Sequence, residues 1–388
     1  MDPDKRPIYM DHHATTPVDQ RVVETMLPYF TEKFGNAASI DHEYGNQALT
    51  AVSNARKQIS KLIHAKPDEI IFTSGATEAD NLAILGVAEK YAGQGNHVIT
   101  CITEHTAVLD TCKHLEMQGW KVTYLPVDNQ GLVDPSEVRK AITSQTILIS
   151  IMMANNEIGV IAPIVEISKI AREHEILFHT DATQAVGHIP VDVEAMNIDL
   201  LSMSAHKIYG PKGIGALYVR KLRPRVKLAE QIHGGGHERR MRSGTLNVPG
   251  IVGFGKALEI AGQEMQSESR RLGELRDKLW AGLKNQIENL ELNGHPTQRL
   301  PHNLSFAIPG IESRSLVVQL KNMLSISTGS ACTTSEAEPS HVILALGYGE
   351  ERAYNSVRFG LGRVNKESDV DFAIESLKQG IHRIRKLR

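Results

Sequence analysis

The feature that most constrains the fold is an alternation of helical and strand patterns along residues 49–219. Short apolar runs of strand length, such as residues 97–102 and 146–152, are separated by longer segments with the apolar spacing of amphipathic helices. Such alternation builds a mostly parallel sheet that helices cover on its faces. The sequence therefore predicts an α/β fold for this part of the chain.

The order of predicted elements changes in the last third of the chain. A long helix-favouring segment over residues 251–289 leads away from the sheet, and the elements that follow are typical of a smaller α+β unit. We expect two domains, a large one over residues 13–260 and a small one formed by residues 1–12 and 261–388.

Charge and composition exclude several classes of function. The formal net charge is -2 and charges of both signs are mixed along the chain, which argues against binding to nucleic acid or to a membrane surface. No apolar run approaches the ~18 residues that would span a bilayer. The first residues lack the apolar core of a secretory signal, so the expected location is cytoplasmic.

The three cysteines are too few and too scattered for a disulfide framework or a zinc site, so no metal site is predicted. Cys101 falls on a predicted strand and Cys112 on a predicted helix, which indicates two buried thiols. Cys332 lies in a small, polar, turn-prone run, where a thiol would be exposed and able to react. An incidental surface thiol is the alternative.

Lys207 follows the apolar strand pattern of residues 198–203 and precedes a glycine-rich turn. Burial and neighbouring cations at such a strand end would lower the pKa of the amine and make it nucleophilic. The residue could then form a Schiff base with an aldehyde cofactor. The alternative is a solvated loop lysine.

Residues 73–78 lie between a predicted strand and a predicted helix. The free amides at the helix start and the hydroxyls of Ser74 and Thr77 are placed to bind a phosphate, although serine and threonine also simply cap helices. Ser204 and His206 could reach the same anion. Residues 242–245 form a second loop of this kind, with an arginine.

Three more polar residues follow predicted strands. Asp181 lies at a strand end, where a protonated pyridine nitrogen would satisfy a buried carboxylate; capping of the next turn is the alternative. Gln184 could donate a hydrogen bond to a phenolate. His105 could stack on a flat ring and shuttle protons, or it could be structural.

An amine, a carboxylate, a histidine and a phosphate-binding loop thus fall at strand ends, where open α/β sheets bind ligands. Pyridoxal 5'-phosphate needs all four, and it is the predicted cofactor. Arg358, on a later strand, could clamp a substrate carboxylate, or it could form an ordinary surface ion pair.

The chain resembles a known family, the cysteine desulfurases, which are fold-type I pyridoxal phosphate enzymes of the class V aminotransferase type. The resembling segments run in order along nearly the whole chain and are residues 9–17, 74–78, 103–105, 155–159, 181–184, 204–213, 242–245, 329–332 and 356–363. The resemblance implies a homodimer, a mostly parallel seven-stranded sheet in the large domain, and a long cysteine loop in the small domain.

The resemblance also implies roles for the cofactor site. Lys207 would carry the Schiff base, Asp181 would face the pyridinium nitrogen, Gln184 would lie near the phenolate and His105 would stack on the ring. The remaining cofactor-binding residues implied are Ala76, Thr77, Ser204 and His206, with Thr245 reaching in from the other subunit.

For the substrate, L-cysteine, the resemblance implies carboxylate binding by Asn156 and Arg358, with Lys207 and His105 as proton carriers. Cys332 would attack the substrate sulfur, which leaves L-alanine and a persulfide. The persulfide sulfur would pass to an iron–sulfur scaffold or to another acceptor protein, and Cys332 could contact a nascent cluster.

Two other functions remain open from the sequence. A related aminotransferase or selenocysteine lyase would share the cofactor site, and transamination would not need Cys332. A cofactor-binding scaffold or regulator without catalysis would also share it, but would not turn over L-cysteine.

Overall fold

The structure, a computed structural model, describes residues 6–328 and 338–387. The strands are β1 (Ile8–Tyr9), β2 (Ile70–Thr73), β3 (His97–Cys101), β4 (Lys121–Leu125), β5 (Thr146–Ser150), β6 (Leu177–Asp181), β7 (Leu200–Ser204), β8 (Gly215–Val219), β9 (Glu291–Leu292), β10 (Asn303–Ala307), β11 (Leu324–Ser325) and β12 (Ser356–Gly360). The helices are α1 (Gln20–Met26), α2 (Pro28–Thr31), α3 (Glu43–Leu62), α4 (Ala76–Tyr91), α5 (Thr106–Met117), α6 (Pro135–Ala141), α7 (Ile164–Glu173), α8 (His237–Arg240), α9 (Val248–Gln286), α10 (Ser313–Leu320), α11 (His341–Ala345), α12 (Glu350–Tyr354) and α13 (Glu367–Leu387).

Seven strands form the central sheet, in the order β2–β8–β7–β6–β5–β3–β4. The pairs among β3 to β7 are parallel, whereas β8 runs antiparallel to both of its neighbours, β2 and β7. The predicted α/β fold with a mostly parallel seven-stranded sheet is confirmed.

Alternation along the strands divides the core between the two faces of this sheet. Val98 and Leu148 pack into the cluster on one face, and their neighbours Ile99 and Ile149 pack into the cluster on the other. Since helices cover both faces, these strands are apolar along most of their length.

The long helix α9 crosses from this core to a second one. Its 39 residues extend about 58 Å at the rise of an α-helix. Ile251 and Phe254 belong to the core of the large sheet, whereas Leu272 and Leu279 pack with residues of β10 and β12 in a separate cluster. The predicted domain boundary at residue 260 falls within α9 and stays a prediction.

The N-terminal segment joins the small core to the strand ends of the large sheet. Strand β1 pairs in parallel with β11, and the Gly360 amide donates to the carbonyl of Met10. A few residues later, the amide of Thr16 donates to the carbonyl of His206. Residues 11–15 are thereby held beside Lys207. In the described part of the chain, no helix is long and apolar enough to cross a membrane.

Candidate active site

A cavity of about 840 Å³ opens at the carboxyl ends of the parallel strands. The predicted site residues that line it are Ala76, Thr77, His105, Asn156, Asp181, Gln184, Ser204, His206, Lys207 and Arg358. Thr245 does not line it; in this chain it is exposed on the loop before α9. Cys332 lies outside the described residues.

Lys207 ends a short 3-10 turn, Ala205–Lys207, that directly follows β7. Its Nζ donates to the carbonyl oxygens of His13, at 2.6 Å, and Ala14, at 2.7 Å. Burial, and then the nearby charge of Arg358, lower the pKa of the amine from 10.5 to about 8. About a tenth of the amine is then neutral at pH 7, several hundred times the fraction of an ordinary lysine.

Asp181 is the last residue of β6 and is almost fully buried at the strand end. Its Oδ1 accepts a hydrogen bond from the amide of Thr183, at 2.9 Å. Gln184, three residues on, is held by His13: its Oε1 lies 2.9 Å from His13 Nδ1, and its Nε2 donates to the His13 carbonyl. A carboxyl group and an oriented amide therefore line the same cavity.

The start of α4 forms the predicted phosphate site. The amide of Ser74 is already occupied, because it donates to Glu78 Oε2 at 2.8 Å. The amides available for an anion are therefore those of the following residues, Gly75 to Thr77. The Glu78 carboxylate is in turn paired with Arg242, whose Nε lies 2.7 Å from Oε1. Burial raises the pKa of this carboxyl, but Arg242 and Ser74 outweigh burial and lower it.

Ser204 and His206 bring further donors to the cavity from the end of β7. The Nδ1 atom of His206 lies 3.1 Å from the Thr15 hydroxyl. Burial, and then the charges of Lys207 and Lys212, lower the pKa of His206 to about 4. The imidazole is therefore neutral at pH 7 and can offer one N–H.

His105 caps the start of α5, where its Nδ1 accepts from the amide of Ala107 at 3.1 Å. Burial and the charge of Lys207 lower the pKa of the ring, although Asp181 opposes them. A neutral ring that accepts at Nδ1 carries its proton on Nε2. His105 can therefore give up and recover a proton at that atom.

Arg358, on β12, is buried and not on the surface. Its guanidinium pairs with Asp11 at 2.9 Å and donates to the carbonyl of Asn156, also at 2.9 Å. These two bonds fix the plane of the guanidinium. Further N–H donors remain available, since a guanidinium has five. The arrangement suits a carboxylate that enters the cavity beside Asn156.

Sequence reasoning assigned no role to two buried residues of the cavity wall, His13 and Asp80. Asp80 lies on α4 with its Oδ1 3.6 Å from His179 Nε2. Burial, and then the charge of Asp181, raise the pKa of Asp80 well above its usual value. Its position, one helical turn after Thr77, is the signal that could have identified it.

The comparisons with known proteins agree with this geometry. Residues 8–372 match the model of the family described as Aminotransferase class-V. A cysteine desulfurase IscS of Anaeromyxobacter dehalogenans is 52% identical over 383 residues, which are 99% of this chain and 94% of that protein. The chain belongs to the cysteine desulfurase family within the class V aminotransferases, and the predicted family is confirmed.

Two solved structures support the same conclusion. A protein titled NIFS-LIKE PROTEIN has a TM-score of 0.90 and 38% identity, covering 97% of this chain and 100% of its own. A structure titled SspA in complex with cysteine has a TM-score of 0.81 and 39% identity, covering 91% of this chain and 98% of its own.

The residues present fit pyridoxal phosphate. Free amides at the start of α4 and the donors of Ser204 and His206 suit a phosphate, and the Asp181 carboxylate suits a protonated ring nitrogen. Lys207 lies on the wall of the same cavity with an amine that is partly neutral at pH 7.

Proposed function

We propose that this chain removes sulfur from L-cysteine and yields L-alanine and a persulfide on Cys332. The observation that carries the proposal is the cavity in which a lysine of lowered pKa shares the wall with a phosphate site, a carboxylate and an arginine. The half-identical relatives named cysteine desulfurase support the choice of substrate.

The cofactor is pyridoxal phosphate, which when bound withdraws electrons from the α-carbon of an amino acid linked to it. We infer that Asp181 holds the ring nitrogen, Gln184 the phenolate oxygen, and His105 one face of the ring. The phosphate would be held by Thr77, Ser204, His206 and the amide of Ala76.

The substrate carboxylate would bind Arg358 and the side chain of Asn156. Because Asp11 and the Asn156 carbonyl already fix the guanidinium, little side-chain freedom is lost on binding. The substrate's α-carbon would then lie in the cavity that Lys207 and His105 also line. Lys207 would take the α-proton with its neutral amine, and His105 would exchange a proton at Nε2.

The sulfur step uses the Cys332 thiolate. Its sulfur bonds to the substrate sulfur, the carbon–sulfur bond breaks, and the electron pair stays on carbon, which takes a proton and leaves as alanine. No external oxidant is needed, since the carbon gains the two electrons that the transferred sulfur loses. The persulfide would pass to an iron–sulfur scaffold or another acceptor, and Cys332 could touch the nascent cluster.

The protein would act as a homodimer in the cytoplasm. Thr245 is exposed and outside the cavity of its own chain, as expected of a residue that serves the partner's phosphate site. Cys101 and Cys112 are free buried thiols, and persulfide chemistry also needs a free thiol, which suits a reducing compartment.

The test compares the wild type with Cys332→Ser and, as a control, Cys112→Ala. Burial raises the pKa of Cys112 to about 12, so its removal should not affect sulfur transfer. We expect all three proteins to bind the cofactor, but only the wild type and the control to make alanine and sulfide from L-cysteine with a reductant. Sulfide release undiminished in Cys332→Ser would refute the role of Cys332. A yellow wild type that makes neither product would refute the function.

A further inference from the structure

The side chain of His13 lies between the cavity and the interior and is 1% exposed. On the cavity side its Nδ1 is 2.9 Å from Gln184 Oε1, and on the other its Nε2 is 3.1 Å from Asn303 Nδ2. A neutral imidazole has one donor and one acceptor. The atoms that face it therefore decide which nitrogen carries the proton.

The orientation of Asn303 settles this assignment. Arg299 Nη2 donates to Asn303 Oδ1 at 2.9 Å, and a guanidinium can only donate. Asn303 Nδ2 donates to the carbonyl of Glu157 at 3.1 Å, and a carbonyl can only accept. Both contacts place the amide nitrogen of Asn303 towards His13. His13 Nε2 must then be the acceptor, and the proton lies on Nδ1.

The orientation of the Gln184 amide is fixed by two contacts with His13. The Nδ1–H of His13 donates to Gln184 Oε1, while Gln184 Nε2 donates one hydrogen to the His13 carbonyl. One N–H of Gln184 remains, and Gln184 is among the residues that line the cavity. Gln184 therefore has a donor left over, which suits an anionic oxygen in the cavity.

We propose that His13 is a positioning residue. It belongs to a relay of hydrogen bonds that runs from Arg299 through Asn303 and His13 to Gln184, and this relay keeps a hydrogen-bond donor directed at the phenolate oxygen of the cofactor. The identity of that oxygen rests on the proposed function. The polarity of the relay does not, because it follows from contacts within the chain.

The surroundings of the His13 ring disfavour protonation of both of its nitrogens. Its ring stacks on His302 at 4.4 Å, which in turn packs on His188 at 4.2 Å. Burial, and then the charge of Arg358, lower the pKa of His13 well below its usual value. A doubly protonated ring would also set an N–H against the amide group of Asn303.

Neutron diffraction from crystals of the deuterated protein tests the relay without cofactor or turnover. We expect deuterium on Nδ1 of His13 and none on Nε2. Deuterium on Nε2 would overturn the inference. This outcome is independent of whether the chain acts on L-cysteine.

The second experiment titrates the visible absorption band of the cofactor-loaded protein against pH. A donor on the phenolate favours loss of the proton that this oxygen shares with the neighbouring nitrogen, so removing the donor raises the midpoint. We expect Gln184→Met to raise the midpoint by about one pH unit. His13→Phe, which keeps the ring stack but loses the donor, should raise it in the same direction.

His13→Asn is the matched variant, because it loses the ring stack but keeps a donor near the Nδ1 position. We expect its midpoint to lie closer to that of the wild type than the midpoint of His13→Phe does. The double variant Gln184→Met/His13→Phe should match Gln184→Met alone. A shift in His13→Asn but not in His13→Phe would show that His13 acts by packing and would overturn the proposal.

Discussion

The amine of Lys207 shows how a single residue acquires reactivity from its surroundings. Burial is the largest cause of its lowered pKa, and the charge of Arg358 adds to it, while Asp11 and Asp181 act in the opposite direction. The neutral, nucleophilic form therefore predominates above about pH 8, whereas in an ordinary lysine it predominates only above about pH 10. The cation is disfavoured in the fold, so this site costs stability below pH 8, and the cost is relieved between about pH 8 and 10.5.

We predict that the rate at which cofactor-free protein reacts with pyridoxal phosphate rises with pH around a midpoint near 8. Arg358→Leu should move this midpoint upward, because it removes a cation that disfavours the charged amine. Stopped-flow absorbance over a pH series measures both. Arg139→Leu, which removes an exposed arginine paired with Glu173, is the control and should leave the midpoint unchanged. A wild-type midpoint near 10.5 would contradict the prediction.

Local sequence was sufficient to identify residues whose position at a strand end is visible in the pattern. Lys207, Asp181 and His105 each lie at or within a few residues of the end of an apolar run, and the structure brings them to one cavity. His13 could not be found in this way, because its partners Gln184 and Asn303 are 171 and 290 residues distant in the chain. Its surroundings exist only once the N-terminal segment is held beside Lys207.

At the scale of elements, the start of α4 depends on a contact from another part of the chain. Glu78 holds the amide of Ser74 and would repel a bound phosphate if it were not paired with Arg242. We predict that Arg242→Leu weakens the binding of pyridoxal phosphate on the order of tenfold, because it frees this carboxylate. Fluorescence titration of the cofactor-free protein measures the dissociation constant.

The double variant Arg242→Leu/Glu78→Gln provides the control for this prediction. It removes the carboxylate charge together with its partner, so part of the lost affinity should return. Binding that is weaker in the double variant than in Arg242→Leu would show that Arg242 acts on the phosphate site by some route other than the charge of Glu78.

Element boundaries were less predictable than element order. The helical pattern predicts a helix from residue 51, but α3 begins at Glu43, because the imidazole of His42 caps it by accepting from the amide of Gly45. Histidine is not among the usual N-cap residues. Strand β8 is not predicted by the alternation of helical and strand patterns. It is antiparallel and follows β7 without a crossover helix, whereas the alternation is typical of parallel strands joined by helices.

At the scale of the whole molecule, a single chain leaves apolar side chains uncovered. The exposed large hydrophobic residues include five within a short stretch around α2 and the start of α3, namely Leu27, Phe30, Phe34, Ile40 and Tyr44. Phe34 and Tyr44 are in ring contact at 5.3 Å, so part of this group is contiguous in space. Exposed apolar groups of this kind are typical of protein interfaces. A second copy of the chain is the partner that the proposed homodimer supplies.

We predict that the wild type sediments as a dimer and that Phe30→Asp/Phe34→Asp raises the dimer dissociation constant at least on the order of a hundredfold, since each carboxylate would lose water on burial. These side chains are 59% and 63% exposed in the single chain, so the variant should keep the circular dichroism of the wild type. Met117→Asp, at a position that is 79% exposed and far along the chain, is the matched control and should remain dimeric. Sedimentation velocity over a concentration series separates the three proteins. A double variant as dimeric as the control would place the interface elsewhere on the molecule.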